Sequence, residues 1–395
     1  LRPPLVDLTL TDEQKALREL AHDFAVNEMR PVAWELDRDG DWPGELIAKA
    51  HEVGLMNVYL PERYGGTAVS YVEGCLIQEE LGWGCSGIGT SLTANGLAAA
   101  PVLLGGSEEV KRELCAALLE APRLASFCLT EPDAGSDVAA LRTRAVRRGD
   151  RYVLTGSKCF ITNASYADFF VVFAKTDPEA GHRGISAFLV ARDDTVVVDR
   201  KEEKMGQRAS NTATVTFNET EVDARRLLGE ENRGFQLAMM SLDRTRPGVS
   251  AMATGIARAA FEFAAAYAKE RVQFGVPIAM HQGIQFLLAD MATKVHAARL
   301  LVWSAAVKLD HGERGTLESA HAKRFAADAA MEVTTDAVQV HGGYGFIKDY
   351  PVEKLMRDAK VMQLYEGTSQ IQRLVIARET LLPRGTQGPA SAGAV

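Results

Sequence analysis

Phe169-Phe170-Val171-Val172-Phe173 is an unbroken apolar run made only of aromatic and β-branched residues. Such side chains fit a pleated, buried strand better than a helix of this length. Similar short runs surround it: Tyr152-Val153-Leu154, Phe160-Ile161-Thr162, Ile185-Ser186-Ala187-Phe188-Leu189-Val190 and Val215-Thr216-Phe217. Gly149-Asp150, Asp177-Pro178-Glu179-Ala180-Gly181 and Asp193-Asp194 punctuate them. Short apolar runs separated by turn chemistry predict an all-β domain, a small barrel or sandwich, over about residues 125–225.

On both sides the period changes from two to 3.6. Upstream, Leu10-Thr11-Asp12-Glu13-Gln14 opens a helix with acids in its first turn, and Leu17, Leu20, Ala21 and Phe24 follow at helical spacing. Further helices are predicted near 45–53, 70–82, 88–104 and 108–119. Downstream, Ile256, Ala260, Phe263 and Tyr267 share one face, as do Ile284, Leu287, Leu288, Met291 and Val295. Four helices near 234–270, 281–311, 315–340 and 368–382 predict a bundle. Helices, then strands, then helices make an α+β chain with segregated parts. The expected limits are 1–124, 125–232 and 233–383, with a disordered tail over 384–395 that is Gly, Pro, Ser and Ala with almost no large apolar residue.

Gly82-x-Gly84-x-x-Gly87 matches the dinucleotide fingerprint GxGxxG. That fingerprint needs a strand before it, and Tyr71 to Leu81 reads as helix, so it is taken as a Gly-rich turn between two helices. The 395 residues carry a net charge of −8, which disfavours nucleic acid as a partner. The odd set of Cys75, Cys85, Cys115, Cys128 and Cys159, widely spaced and without CxxC, indicates neither a disulfide framework nor a thiolate metal site, and fits a reducing cytoplasm. The histidines form no close ligand pair, so no metal site is expected. No membrane span is expected, and Leu1 to Asp7 lack the features of a signal peptide.

Three polar segments carry candidate chemistry. Phe127-Cys128-Leu129-Thr130-Glu131-Pro132-Asp133-Ala134-Gly135-Ser136-Asp137 runs from a strand into a loop that can offer N–H groups to a heterocycle or phosphate. Taken alone, it is better read on physical grounds as an ordinary β-turn. Gln339-Val340-His341-Gly342-Gly343-Tyr344-Gly345-Phe346 permits close backbone approach to a ligand, or simply caps a helix. In Tyr365-Glu366-Gly367-Thr368-Ser369-Gln370, Gly367 allows a tight turn and Thr368 or Ser369 can cap the next helix. Glu366 at its mouth is either a solvated loop acid or a general base held at a helix start.

Together these segments carry a resemblance that none carries singly. Further strings are Phe160-Ile161-Thr162-Asn163, Asp243-Arg244-Thr245-Arg246-Pro247, Glu270-Arg271 with Phe274-Gly275, and His281-Gln282. Tyr350-Pro351-Val352-Glu353-Lys354-Leu355-Met356-Arg357-Asp358-Ala359-Lys360 and Glu366 through Arg373 complete them. The chain resembles the acyl-CoA dehydrogenase family, nearest its medium- and short-chain members, over about residues 8–382.

The resemblance implies an N-terminal α-helical domain, a middle β-barrel and a C-terminal four-helix bundle. It implies FAD, a tetramer built as a dimer of dimers, an electron-transferring flavoprotein as acceptor, and a place in fatty acid β-oxidation. A side chain cannot accept a hydride, so dehydrogenation needs such a cofactor. By the same resemblance Glu366 takes the α proton, and its backbone N–H helps polarise the thioester carbonyl. Phe127, Leu129, Thr130, Gly135, Ser136, Phe160, Ile161 and Thr162 hold the flavin. Arg271, Gln273 and Phe274 with His281 and Gln282 bind its diphosphate and adenosine end, reaching a neighbouring subunit's FAD. Gln339, Val340, His341, Gly342 and Gly343, with Gly367, Thr368, Ser369 and Gln370, complete that site. Asp243, Arg244, Thr245 and Arg246, with Ser136, contact the CoA portion.

Three features of this chain qualify the pattern. Phe160 stands where many members have Trp, which removes an indole N–H beside the flavin. In one branch the base sits at the position of Thr245, and the Thr here leaves the role with Glu366. Gly89 and Thr93 fall where medium-chain members carry a Gln and a Glu at the closed end of the acyl pocket, so a deeper or less polar floor is expected unless Leu92 or Leu97 refills it. The competing readings are an oxygen-using flavin oxidase or monooxygenase, a short branched-chain acyl-CoA dehydrogenase, and a non-catalytic relative that binds nucleic acid.

Overall fold

A computed structural model describes residues 9–382. The tail expected at 384–395 and the segment Leu1 to Asp7 lie outside the described residues. Helix α1 (Asp12–Phe24) starts at a capping box: Gln14 N donates to Thr11 Oγ1 at 3.2 Å, and Thr11 N donates to the Gln14 side chain at 3.1 Å. A wide π turn leads into α2 (Arg30–Asp39), then α3 (Gly44–Glu52).

The stretch expected as two helices is one kinked helix, α4 (Tyr71–Gly105), followed by α5 (Glu108–Glu120). The kink is at Cys85, whose φ/ψ of −166/112 is not helical. Gly82, Gly84 and Gly87 flank it and serve close packing rather than a turn. A Cβ on Gly82 would stand 2.3 Å from the Met252 carbonyl oxygen, and one on Gly84 would stand 2.8 Å from Ala25 Cβ. By length and composition α4 could cross a membrane, contrary to the sequence expectation. It is nevertheless a core helix: 56% of its most apolar window is buried, and its acids Glu79 and Glu80 pair with Arg258.

The predicted β region is one mostly antiparallel sheet. Its strands are β1 (Ala125–Cys128), β2 (Arg144–Arg148), β3 (Arg151–Thr162), β4 (Phe169–Lys175), β5 (Ile185–Ala191), β6 (Val196–Lys201), β7 (Thr212–Asp223) and β8 (Leu227–Leu228). They run in the order β6-β7-β3-β2-β4-β5-β8, with β1 parallel to β4. The sheet curls on itself. The Tyr152 ring of β3 meets Phe188 of β5 at 4.9 Å, and Phe170 of β4 meets Phe217 of β7 at 6.2 Å. Phe170 and Val172 fill this interior, whereas Phe169, Val171 and Phe173 pack outward among Val102, Leu114 and Leu118 of α4 and α5. Burial on both faces explains why this run has no polar alternation.

The last third is helical. α6 (Gly234–Glu270) leads through the small hairpin β9 (Val272–Gln273) and β10 (Val276–Pro277) to α7 (Gln282–Asp310) and α8 (Thr316–His341). α9 (Val352–Met362) and α10 (Ser369–Leu381) follow. α6 lies between α4 and α8, while α9 and α10 pack on α8. α9 was not among the expected helices, although Val352, Leu355, Ala359 and Met362 give it a buried stripe at helical spacing.

Candidate active site

α9 and α10 are joined by a reversal at Glu366 and Gly367, with φ of +53 and +88. The left-handed region suits Gly367 but costs a non-glycine residue about 1–3 kcal/mol. Tertiary contacts hold it there. The Glu366 carbonyl accepts from Arg246 Nε at 3.1 Å and from Gln372 Nε2 at 3.2 Å. Gln372 Nε2 also reaches the Gly367 carbonyl at 3.2 Å, which takes a further bond from Lys323 Nζ at 2.7 Å. Thr368 caps α10 by accepting from Ile371 N at 3.1 Å. Arg246 is itself fixed by Asp243 at 2.6 Å, and Asp243 is held by Thr316 at 2.6 Å.

The Glu366 carboxyl is partly buried and accepts a hydrogen bond from Thr245 Oγ1 at 3.2 Å. Burial pushes its pKa up from 4.5 to about 7, against the pull of Arg246, the Thr245 hydroxyl and Lys323. Burial likewise draws Lys323 down to about 8, opposed by Glu366. A carboxyl that exchanges its proton near neutral pH, on a firmly held turn, is equipped for acid–base work.

Glu366 opens into a cleft of about 1260 Å³. On the sheet side its wall contains Phe127, Leu129, Thr130, Gly135 and Ser136 from the β1 end, and Phe160, Ile161 and Thr162 from the β3 end. On the helical side it contains Asp243, Thr245, Arg246, Glu366 and Gly367. The β3 end is shaped by a register shift between Lys158 and Ile161. Phe160 there has φ +59 and is 66% exposed despite its size, so its ring is a free apolar surface. Apolar faces beside the hydroxyls of Thr130, Ser136 and Thr162, with no side chain at Gly135, suit a flat heterocycle with a polar edge. The residues present therefore fit a flavin ring.

Beneath this wall Glu131 pins the loop. Its carboxylate accepts from Arg142 N at 2.5 Å, Thr143 N at 3.0 Å and the buried Lys158 Nζ at 2.7 Å. Burial alone would raise this carboxyl, but Lys158 and the N–H donors hold it below its usual value. Lys158 also donates to the Leu129 carbonyl at 3.1 Å.

Other expected site residues do not line the cleft. Arg244 borders a separate small cavity instead. Arg271, Gln273, Phe274, His281 and Gln282 form a surface group around the β9–β10 hairpin, where Phe274 is 94% exposed at φ +52. The Arg271 guanidinium stands 5.3 Å from the Tyr344 ring centre, which brings this group beside the turn at Gly342 and Gly343. Gln339 and Gln370 are exposed, whereas Val340 and Ser369 are buried. The His341 side chain is turned inward: Nδ1 meets the Ala337 carbonyl at 2.8 Å and the ring stacks on Tyr267 at 4.3 Å. Its imidazole is a core group.

The expectation at the acyl floor also changes. Thr93 lines the cleft and Gly89 does not. The space beside Gly89 is taken by Met252, whose Cε would lie 3.2 Å from a Cβ there. Leu97 does line the cleft, and Leu92 faces the neighbouring cavity. Sequence reading assigned no role to Lys323, Gln372, Met252 or Tyr59, and overlooked Arg183 and Arg233 on the cleft wall. Gln372 was legible as part of the Glu366–Arg373 string. Met252 and Tyr59 look like ordinary core residues in sequence.

The chain matches the family descriptions "Acyl-CoA dehydrogenase, N-terminal domain" over residues 11–121, "middle domain" over 126–220 and "C-terminal domain" over 232–381. An acyl-CoA dehydrogenase of Bacillus subtilis is 45% identical over 374 residues, 94% of this chain and 99% of that one. Butyryl-CoA dehydrogenase from Megasphaera elsdenii superposes with a TM-score of 0.93 at 42% identity, covering 95% of this chain and 100% of that one. A structure described under the electron transferring flavoprotein of Acidaminococcus fermentans also gives 0.93, at 44% identity, covering 96% and 100%. The chain belongs to the acyl-CoA dehydrogenase family of FAD-dependent oxidoreductases.

Proposed function

We propose that this chain converts a fatty acyl-CoA thioester to the trans-2-enoyl-CoA, with Glu366 removing the α proton. The observation that carries the reading is the Glu366 carboxyl, partly buried and bonded to Thr245, sharing one cleft with a wall that fits a flavin ring; burial pushing its pKa up toward neutrality supports it. Ionised Glu366 takes the α proton, the released C–H electron pair becomes the new double bond, and the β hydrogen leaves as hydride. Bound FAD supplies the hydride acceptor. The Glu366 backbone N–H polarises the thioester carbonyl as enolate charge develops. Arg246 acts through the Glu366 carbonyl and so orients the base. Ser136 and Asp243 contact the CoA portion, Thr245 bonds the Glu366 carboxyl, and Arg183 and Arg233 supply positive charge for the CoA phosphates.

The proposed assembly has support on the surface: Phe274, Met280, Phe286 and Phe346 are large apolar residues left exposed, suited to cover by a second copy. Arg271, Gln273, Phe274, His281 and Gln282, with the exposed Gln339, Gly342, Gly343 and Gln370, then reach the neighbour's FAD in a tetramer built as a dimer of dimers. The proposed domain limits are 1–124, 125–232 and 233–383, and the starts of β1 at Ala125 and α6 at Gly234 support the two internal ones. An electron-transferring flavoprotein is the acceptor. Five free, buried cysteines accord with a cytoplasmic location.

The test is anaerobic mixing of FAD-replete protein with straight and branched acyl-CoAs. The expected result is loss of the flavin's visible absorbance with one enoyl-CoA formed per flavin. Failure of every acyl-CoA to bleach the flavin overturns the reading. Reoxidation by air within seconds would favour the oxygen-using alternative.

A further inference from the structure

The cleft is separated from a second cavity of about 100 Å³ by residues that line both: Tyr59, Gln78, Thr93, Gly96 and Thr245. Thr245 is engaged with Glu366, and Thr93 Oγ1 is tied back to the Gly89 carbonyl at 2.9 Å. Gly96 has no side chain. The wall is therefore mainly Tyr59 and Gln78, joined by a hydrogen bond from Gln78 Nε2 to the Tyr59 hydroxyl at 3.1 Å.

Two glycines on different helices make room for this pair. A Cβ on Gly74 would stand 1.9 Å from the Tyr59 hydroxyl oxygen, and one on Gly248 would stand 2.3 Å from Gln78 Nε2. The Tyr59 ring lies over Gly96, 3.7 Å from where its Cβ would be. The ring is thus locked across the opening. Beyond it the second cavity is walled mostly by apolar side chains, with Leu55, Leu60, Leu92, Ala99, Ala100 and Leu103 beside Tyr71, Asn57, Asn95 and Arg244. The Asn57 and Asn95 amides are already bonded to each other and to backbone groups, so the apolar majority of the wall suits hydrocarbon. An apolar cavity of ~150 Å³ holds a benzene molecule, so 100 Å³ accommodates roughly four carbons.

We propose that Tyr59, braced by Gln78, is the specificity-determining residue that ends the acyl-binding arm, and that the cavity behind it is an unused extension of that arm. This rests on the acyl-CoA reading above. The experiment measures kcat/KM for anaerobic flavin bleaching across saturated acyl-CoAs from C4 to C16, using FAD-replete protein. Tyr59→Ala should move the optimum toward longer chains by about four carbons, with about a fourfold gain for each methylene newly accommodated. Tyr59→Phe, which keeps the ring, should leave the optimum in place. Ala100→Phe added to Tyr59→Ala should refill the cavity and bring the optimum back. If Tyr59→Ala does not retain its flavin, Tyr59→Leu keeps apolar bulk over Gly96 and should shift the optimum by about two carbons. An FAD-replete Ala or Leu variant with the wild-type optimum overturns the proposal. Wild-type protein that no acyl-CoA bleaches overturns the underlying activity instead.

Discussion

Replacing Glu366 with Gln preserves the turn, because the bonds from Arg246 and Gln372 go to the backbone carbonyl rather than the side chain. It removes the proposed proton acceptor. With a pKa of about 7, roughly one-eleventh of the wild-type carboxyls are ionised at pH 6 and ten-elevenths at pH 8. The wild-type rate of flavin reduction should therefore rise about tenfold over that interval. Lys323, drawn to about 8, loses its charge at the top of the range; this lifts the Glu366 pKa and rounds the upper limb. General base catalysis contributes ~10²–10⁴-fold, so Glu366→Gln should reduce its flavin at least ~10²-fold more slowly, with no dependence on this ionisation. Stopped-flow absorbance under anaerobic conditions at pH 6, 7 and 8 reads both effects, and equilibrium titration checks that the variant still binds FAD and acyl-CoA. Near wild-type rates in the Gln variant would move the base elsewhere. A wild-type rate that falls from pH 6 to 8 would refute the protonation argument itself.

The same substitution should raise stability at high pH. The folded-state pKa exceeds the ordinary 4.5, so the folded form binds more protons between about 4.5 and 7 and stability falls as pH rises through that window. The full difference corresponds to about 3 kcal/mol, and screening through the open cleft reduces it to about 1–3; Glu366→Gln should melt higher than wild type at pH 8 and equally at pH 4.5, and equal melting at pH 8 counts against the raised pKa. Arg271→Ala should lower FAD retention and oligomer stability together, because a ligand that binds only the assembled form stabilises it. Size-exclusion profiles and flavin absorbance unchanged from wild type would remove Arg271 from that interface. Lys158→Met should cost about 3–5 kcal/mol in urea unfolding by stranding the Glu131 carboxylate, and Glu131→Gln added to it should recover much of the loss. A loss under about 1 kcal/mol for the single change would make the pair incidental.

The architecture was readable where burial leaves a periodic mark. Phe169–Phe173 is continuous because both its faces are covered, and the long helices of the last third repeat their apolar residues at 3.6. The kink at Cys85 was not readable as such. Three glycines signal either a turn or close packing, and only Met252 and Ala25 lying against them decides which. Glu366, Phe160 and Phe274 adopt positive φ without being glycine, so local preference argued against the conformations they take. The residue facing Gly89 comes from α6, far along the chain, and no local pattern names Met252.

Glu366 shows why local reasoning leaves a candidate base undecided between two roles. Its backbone strain is offset by bonds from α6, α8 and α10: Arg246, Lys323 and Gln372. Those side chains converge on two successive carbonyls, Glu366 and Gly367, so the reversal is fixed by tertiary contacts. The same convergence sets the acidity. Arg246 and Lys323 favour the ionised form, burial opposes it more strongly, and the balance rests near neutrality. The base position found in one branch of the family then has a geometric reason. Thr245 lies 121 residues away in sequence, yet its hydroxyl is 3.2 Å from Glu366 Oε2. A longer acid on α6 at position 245 would bring its carboxylate to nearly the same point, from a helical backbone without the left-handed strain. What the site specifies is a carboxylate location between α6 and the α9–α10 turn. This chain fills it from the turn, where Arg246, Lys323 and Gln372 hold the peptide and leave the side chain free to exchange a proton.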